Sequence, residues 1–239
     1  MKHLLVIPIH NEARYIPGVV NEIKKYLCEG ATVLAIDDGS TDETSELLAR
    51  TPDVEVLTHP ENLGYGRTLI DGFAHAAEHG YDHVMTMDAD WQHEPHLIPE
   101  FCKALDHADV VSGSRYLRPS NEKPPADRRE INRRITAMIN EITGYGLTDA
   151  FCGFKAYRVD AVARLELTEP GYGLPVQFWI QAWLKGLTVK ELPVGLVYFD
   201  RCRTFPGGLH DPEQRYRYYV EILERELVHG GCNRHRRPS

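Results

Sequence analysis

The sequence predicts an α/β protein with a mostly parallel central sheet and helices on both faces, and three observations carry that expectation. Short apolar runs alternate along the chain with stretches of helical period, the pattern of strand-helix units that pack as a parallel sheet. Charged side chains collect just past several of those runs, at Asp37, Asp38, Asp88, Asp90 and Arg115. In such sheets ligands lie beyond the carboxyl ends of the strands. The 239 residues are 42% hydrophobic, enough for one large domain with its own core.

The elements follow in order. Leu4 to Ile9 is a short apolar run ahead of His10-Asn11-Glu12, and Ile16, Val19, Val20, Ile23 and Leu27 then mark one face of a helix. Thr32 to Ile36 is a second buried strand ending in Asp37 and Asp38, and Ser40 and Glu43 beyond it have the spacing of a capping box. Val54 to Leu57 is a third strand. Asn62-Leu-Gly-Tyr-Gly-Arg67 then leads into a helix through Ala77. Its Gly-x-Gly lacks the third glycine of a dinucleotide fingerprint and follows a polar turn, so nicotinamide binding is not expected. The fourth strand ends in Asp88-Ala-Asp-Trp-Gln92, a helix is expected from Pro95 to about His107, and Asp109 to Arg115 is a fifth strand with its polar exit.

Tyr116 to Asp127, rich in proline and charge, reads as a mobile loop. An amphipathic helix from Arg128 to Ile142 follows, with Arg128, Arg129, Arg133 and Arg134 crowded near its start. Cations there oppose the helix macrodipole and invite an anionic partner, either a phosphate group or anionic lipid; a solvated charged face is the alternative. Asp149 to Tyr157 is a turn into a strand, Pro175 to Lys185 a helix, and strands are expected between Thr188 and Phe199. Asp200 to Gly208 combines Arg201 and Arg203 with a glycine pair, a composition suited to a loop over phosphate. Asp211 to Val228 reads as a last helix docked on the core, and the basic tail reads as disordered.

The formal charge of −8 argues against a general nucleic-acid binder. No apolar run approaches the ~20 residues that span a bilayer, and the N-terminus lacks a signal peptide's longer apolar region. A cytoplasmic location is therefore expected, with the protein soluble or peripheral on the inner face of the membrane. Cysteines 28, 102, 152, 202 and 232 form no Cys-x-x-Cys pair and read as reduced thiols.

Two carboxylates delivered to one sheet edge repel each other unless a cation sits between them. Mg²⁺ or Mn²⁺ commonly takes one or two carboxylates and completes its shell with water and substrate phosphate oxygens, which suits Asp88 and Asp90. Solvated turn residues, with Asp88 capping the next helix, are the alternative.

Taken together, Val6-Ile-Pro-Ile-His-Asn-Glu12, Asp37-Asp-Gly-Ser-Thr-Asp42, Asn62-x-Gly-x-Gly66, Asp88-Ala-Asp-x-Gln-His93, Gly113-Ser-Arg115 and Asp149-x-x-Cys-Gly-Phe154 resemble a family 2 glycosyltransferase with the GT-A fold. Among these the pattern is most similar to the polyprenol-phosphate glycosyltransferases. The resemblance implies a GT-A domain over 1–208, a docked helix over 209–230 and a basic tail over 231–239. It implies that Pro8, Glu12, Asp37, Asp38, Asp88, Ala89 and Arg203 attend the nucleotide sugar, and that Asp88, Asp90 and Gln92 attend a Mg²⁺ or Mn²⁺ ion. Asp90, Arg115 and Arg201 are then expected at the chemistry, and Arg129, Arg133 and Thr136 at the acceptor. In the family that acceptor helix tends to carry Arg, Ser or Thr, and Asn at four-residue steps; here Asn132 precedes Thr136 and Asn140, and Arg133 is one place off.

The function implied is inverting transfer of a sugar, mannose or glucose, from a nucleoside-diphosphate sugar to a polyprenyl phosphate. Either a peripheral membrane contact or a membrane partner protein would bring the lipid. A phosphate monoester, with its second pKa near ~6, carries most of its charge at neutral pH and needs no general base. The Glu-Asp pair and Gln-x-x-Arg-Trp of family members that use hydroxyl acceptors are absent, and Gln177 and Gln181 stand where an acid would be sought. Transfer to a soluble hydroxyl acceptor, with Asp149 as base unless it is a turn cap, is the other enzymatic reading. A nucleotide-sugar-binding protein without turnover is the third.

Overall fold

The computed structural model describes residues 1–120, 122, 125–197 and 208–231. In chain order the elements are β1 (His3–Ile9), α1 (Ile16–Lys24), β2 (Ala31–Asp37), α2 (Thr44–Ala49), β3 (Glu55–Thr58), α3 (Tyr65–Glu78), β4 (His83–Thr86), α4 (Ile98–Ala104), β5 (Val110–Ser114), α5 (Ala126–Thr143), β6 (Lys155–Arg158), α6 (Val159–Val162), α7 (Leu174–Leu184), β7 (Val189–Pro193) and α8 (Pro212–His229). The seven strands form one sheet in the order β3-β2-β1-β4-β6-β5-β7. Six run the same way, and β6 alone is antiparallel to its neighbours β4 and β5.

Alternation along β1 shows how the sheet is covered. Leu4 and Val6 point into a core layer built with α3, α5, α7 and α8, while Leu5, Ile7 and Ile9 point into a second layer with α1 and α4. Both faces are dry, which is why the strands read as continuous apolar runs rather than alternating ones.

Three local expectations change. The helix expected from Pro95 opens as a 3-10 turn over Pro95–Leu97, and the α-helix runs only from Ile98 to Ala104. Pro99 has no N–H to donate to the Pro95 carbonyl, so the first turn stays tight. The capping box does not form: Ser40 Oγ accepts the Asn11 N–H at 2.9 Å, and it is Asp42 that accepts the Thr44 N–H, at 3.0 Å. α5 starts at Ala126, so Asp127 lies in its first turn, where it favours the dipole and pairs with the buried Arg215 at 2.7 Å.

α8 docks through buried Tyr219, Ile222, Leu223 and Leu227, each contributing roughly 1.5–3 kcal/mol of burial. Its start is capped by Asp211, which accepts the Gln214 N–H at 2.7 Å. The polar seam between α7 and α8 is satisfied rather than dry. Gln177 Oε1 accepts the N–H groups of Thr168 and Glu169, both at 2.8 Å, and its Nε2 donates to Thr168 Oγ1 and Glu226 Oε1. No helix among the described residues is long and apolar enough to cross a membrane.

Candidate active site

The site forms where β1, β2, β4 and β5 end and β6 begins. Because β6 runs against the others, its first residue, Lys155, sits at the same sheet edge as the last residue of β4, with Thr86 and Lys155 directly paired. The chain entering β6 therefore passes alongside Asp88. Gly153 makes that approach possible: a Cβ there would lie 2.5 Å from Asp88 Oδ2, a separation no side chain tolerates.

Asp88 and Asp90 are held in a tight turn. Trp91 adopts a left-handed backbone, φ 61°, which folds Gln92 back so that its N–H and its side-chain amide donate to the two Asp90 oxygens at 3.1 and 2.8 Å. Such a conformation costs a non-glycine residue on the order of 1–3 kcal/mol. The Trp91 indole is seated against Gly18 of α1. His93, its ring tilted against that of Phe154, accepts the Asp88 N–H through Nδ1 at 3.1 Å. Burial pushes that imidazole down to about 4, so it stays neutral.

Both carboxyls are pushed above their ordinary range. Burial and then the Asp88 charge push the Asp90 carboxyl up to about 6. Burial also raises Asp88, against the opposing pull of Lys155 and Arg115 and a 3.4 Å hydrogen bond from Tyr65. Among the described residues no cluster of three or more His, Cys, Asp or Glu side chains could cage a metal. Two carboxylates with a neighbouring amide instead fit Mg²⁺ or Mn²⁺ that borrows its remaining ligands from substrate and water.

The remaining expected residues separate into distinct positions. Pro8 lies inside β1, paired in register with Ile36. Glu12 is buried; its N–H donates to Thr44 Oγ1 at 2.9 Å and its carbonyl accepts from Tyr15 and Ile16 at the start of α1. Asp37 is fully buried and spends its carboxylate on the Ser40 N–H and the Ser45 hydroxyl, so it shapes the turn after β2. Asp38 accepts His59 Nδ1 at 2.7 Å and the N–H groups of Leu63 and Gly64 at 2.8 and 2.9 Å. It thereby ties the end of β2 to the start of α3. Ala89 points away from the acids into the core layer shared with Met87 and Leu97. Arg201 and Arg203 lie outside the described residues.

Arg115 and Asp149 form a bidentate pair, Nε to Oδ2 at 2.6 Å and Nη2 to Oδ1 at 2.9 Å, with Asp149 fully buried. Burial opposes the carboxylate, yet the Arg115 guanidinium holds it below its ordinary range. Asp149 also accepts the Phe151 N–H at 3.1 Å. The turn-cap reading of Asp149 is the one its contacts match, and a carboxylate so committed is a poor general base.

α5 presents a different face from the one expected. Arg128 and Asn132, one turn apart, line the cavity beside Asp88, whereas Arg129 is exposed and Arg133 pairs with Glu130 at 2.8 Å on the solvent side. Thr136 is buried beneath, its hydroxyl accepting the Ala150 N–H at 3.4 Å. The four-residue step was visible in the sequence, but which of its registers faces inward depends on what α5 packs against. Gln177 and Gln181 likewise serve the α7–α8 seam and the 166–169 backbone, with Gln181 donating to Glu226 at 2.9 Å.

Several site residues carried no signal of their own. The cavity, about 190 Å³, has a polar end made by Asp88, Arg115, Arg128 and Lys155, and aromatic walls including Phe73, Phe151, Phe178 and Tyr219. Tyr65 and Tyr172 stack beside Asp88 with ring centres 5.5 Å apart and planes 6° from parallel. The Gly64-x-Gly66 pair explains that stack. A Cβ at Gly66 would lie 2.2 Å from the Glu169 carbonyl, so the two glycines let α3 press against the segment that carries Tyr172.

With this geometry in view, residues 4–165 match the family model described as "Glycosyl transferase family 2". The chain belongs to glycosyl transferase family 2. Over 206 residues it is 32% identical to an undecaprenyl-phosphate mannosyltransferase of Micrococcus luteus, covering 82% of this chain and 84% of that one. A polyprenol monophosphomannose synthase of Mycolicibacterium smegmatis is 29% identical over 201 residues, 80% of this chain and 76% of that protein. Among solved structures, glucosyl-3-phosphoglycerate synthase from Mycobacterium tuberculosis, in complex with Mn²⁺, uridine diphosphate and phosphoglyceric acid, superposes with a TM-score of 0.73. The identity there is 19%, over 97% of this chain and 79% of that one. The fold is GT-A, as the sequence motifs implied.

Proposed function

We propose that this glycosyltransferase moves a hexose, mannose or glucose, from a nucleoside-diphosphate sugar to a polyprenyl phosphate with inversion at the sugar carbon. The observation that carries the reading is the cavity beside Asp88. A cationic end suits a phosphate, aromatic walls suit an isoprenoid, and the neighbouring Asp149, locked to Arg115, is unsuited to deprotonate a hydroxyl. The two relatives named for polyprenol or undecaprenyl phosphate support the same acceptor class.

In this reading the acceptor phosphate oxygen attacks the sugar carbon as the bond to the diphosphate breaks, with no proton to remove. Asp88 and Asp90, with Gln92 beside them, would hold Mg²⁺ or Mn²⁺, which supplies charge stabilisation at the departing diphosphate when bound. Asp38 and Glu12 build the nucleoside side through the backbone they fix, while Arg201 and Arg203 are assigned to the diphosphate by family resemblance. Arg115, Arg128 and Asn132 receive the acceptor, in place of Arg129 and Arg133. The exposed arginines Arg129, Arg133 and Arg134 suit a peripheral contact with anionic lipid at the cytoplasmic face; vesicle cosedimentation that fails to weaken as salt rises would count against it.

The test is transfer from labelled GDP-mannose and UDP-glucose to polyprenyl phosphate in Mn²⁺, compared with folded Asp88→Ala and Asp90→Ala variants. Loss of transfer in both variants is expected. Transfer to a saccharide or protein hydroxyl with none to polyprenyl phosphate would overturn the acceptor, and variants that match the parent in chelator would overturn the metal.

A further inference from the structure

Lys155 and Arg215 are buried and Arg115 is partly buried, and the first is unlike the other two. Arg115 is paired with Asp149 and Arg215 with Asp127. Lys155 is 4% exposed, and among the described residues no carboxylate lies within ion-pairing distance of its ammonium. Its Nζ donates to the Cys152 carbonyl and stands 5.7 Å from the centre of the Trp179 ring. An ammonium carries three N–H donors, so these contacts leave part of it unsatisfied, at the buried start of β6 where a charge is expensive to hold. The side chain lines the cavity together with Arg115 and Arg128. An ammonium kept there with no carboxylate bonded to it, Asp88 and Asp149 acting only from a longer distance, and lining an open cavity, is arranged for an anion that arrives from outside.

We propose that Lys155 binds phosphate, completing with Arg115 and Arg128 a three-cation pocket for the phosphomonoester dianion of the acceptor. Giving that phosphate to the acceptor rests on the function proposed above; the phosphate-binding role itself does not. Lys155 neither gives nor takes a proton. It holds the attacking phosphate by charge while the sugar carbon exchanges its diphosphate oxygen for an acceptor oxygen. The same pocket chemistry serves a lipid phosphate or a small soluble phosphomonoester, and ligands of both kinds separate the sources.

The experiment is calorimetric titration of the full chain with farnesyl phosphate, farnesol, 3-phosphoglycerate and Mn²⁺–nucleoside diphosphate, with tryptophan fluorescence followed in parallel because Trp179 adjoins the ammonium. Parent, Lys155→Met, Lys155→Gln and Lys155→Arg are compared; Gln keeps a donor for the Cys152 carbonyl should Met fail to fold. Loss of one hydrogen bond to a charged group weakens binding roughly 10- to 100-fold. That loss is expected for farnesyl phosphate in the Met and Gln variants, with recovery in Arg and with farnesol and nucleotide affinities unchanged. Parent-like farnesyl phosphate binding in folded Lys155→Met overturns the proposal, and a loss confined to nucleoside diphosphate overturns the assignment to the acceptor. Binding of 3-phosphoglycerate but not farnesyl phosphate, abolished by Lys155→Met, keeps Lys155 as the phosphate ligand and discards the lipid.

Discussion

Replacing Gly153 with alanine tests the claim that the chain entering β6 sets the position of the Asp88 carboxylate. The new methyl would stand 2.5 Å from Asp88 Oδ2 and 3.0 Å from both Cγ and Oδ1. To restore an ordinary contact of ~3.4 Å, carboxylate or backbone must yield by roughly 0.9 Å. The backbone is the stiffer of the two, because Thr86 Oγ1 donates to the Gly153 carbonyl at 2.7 Å and Lys155 is already in the β4–β6 ladder. Asp88 therefore moves. Mg²⁺ demands near-ideal octahedral geometry, and a displacement of about 1 Å at a reacting centre costs on the order of 100-fold, about 2.7 kcal/mol of barrier. Gly153→Ala should keep its Tm within a few degrees, bind Mn²⁺ more weakly by calorimetry, and lose about two decades of kcat/KM. A variant with parent-like Mn²⁺ affinity and turnover would show that Asp88 is not placed by this contact.

The other predictions address separate links. Asp149→Asn breaks the buried pair with Arg115 and should cost about 3–5 kcal/mol, lowering Tm by roughly 6–20 °C; lost turnover at unchanged Tm would instead revive Asp149 as a base. The His3 and His83 rings lie tilted with centres 5.1 Å apart, and both ring Nδ1 atoms are buried without a hydrogen-bond partner. Burial is the main cause that lowers both pKa values; the N-terminus acts in the same sense on His3, and His3 and Arg158 on His83. Asp82 opposes both shifts and Asp106 the second. The unfolded chain therefore takes up protons first. Stability from this pair is complete above about pH 6.5 and falls on acidification, by at most ~1.4 kcal/mol per pH unit for each ring. Melting curves between pH 7.5 and 5 should flatten in His83→Phe, and an unchanged slope would refute the assignment. Gln177→Leu strands the Thr168 and Glu169 N–H groups, each at about 1–3 kcal/mol. Hydrogen exchange should rise over residues 166–172, and exchange identical to the parent would deny Gln177 that role.

Much of the fold was legible because it is local. Apolar runs such as Leu4–Ile9 and Thr32–Ile36 are buried on both faces, so period and length alone mark them as strands. Their polar exits mark the sheet edge where Asp38, Asp88 and Arg115 gather. The misreadings are local competitions settled by a neighbour. Ser40 accepts the Asn11 N–H and Asp42, ahead of the helix, takes the Thr44 N–H, while Pro99 shortens α4. Asp37 and Asp38 look equivalent in sequence, yet the first is consumed inside its own turn while the second reaches across to α3.

The order of residues was sufficient to specify the acids at the end of β4, the alternation that makes a parallel sheet, and the family motifs. Each is a pattern within a few turns or strands of chain. What required the folded molecule is the insertion of β6 against the grain between β4 and β5, which carries Gly153 and Lys155 alongside β4, with Gly153 hydrogen-bonded to Thr86 from 67 residues away along the chain. It also required the packing of α5 against α7 and α8, which turns Arg128 and Asn132 rather than Arg129 and Arg133 toward the cavity. A repeating pattern in a sequence shows that a helix or strand has an inner face; which partners that face meets depends on long-range packing.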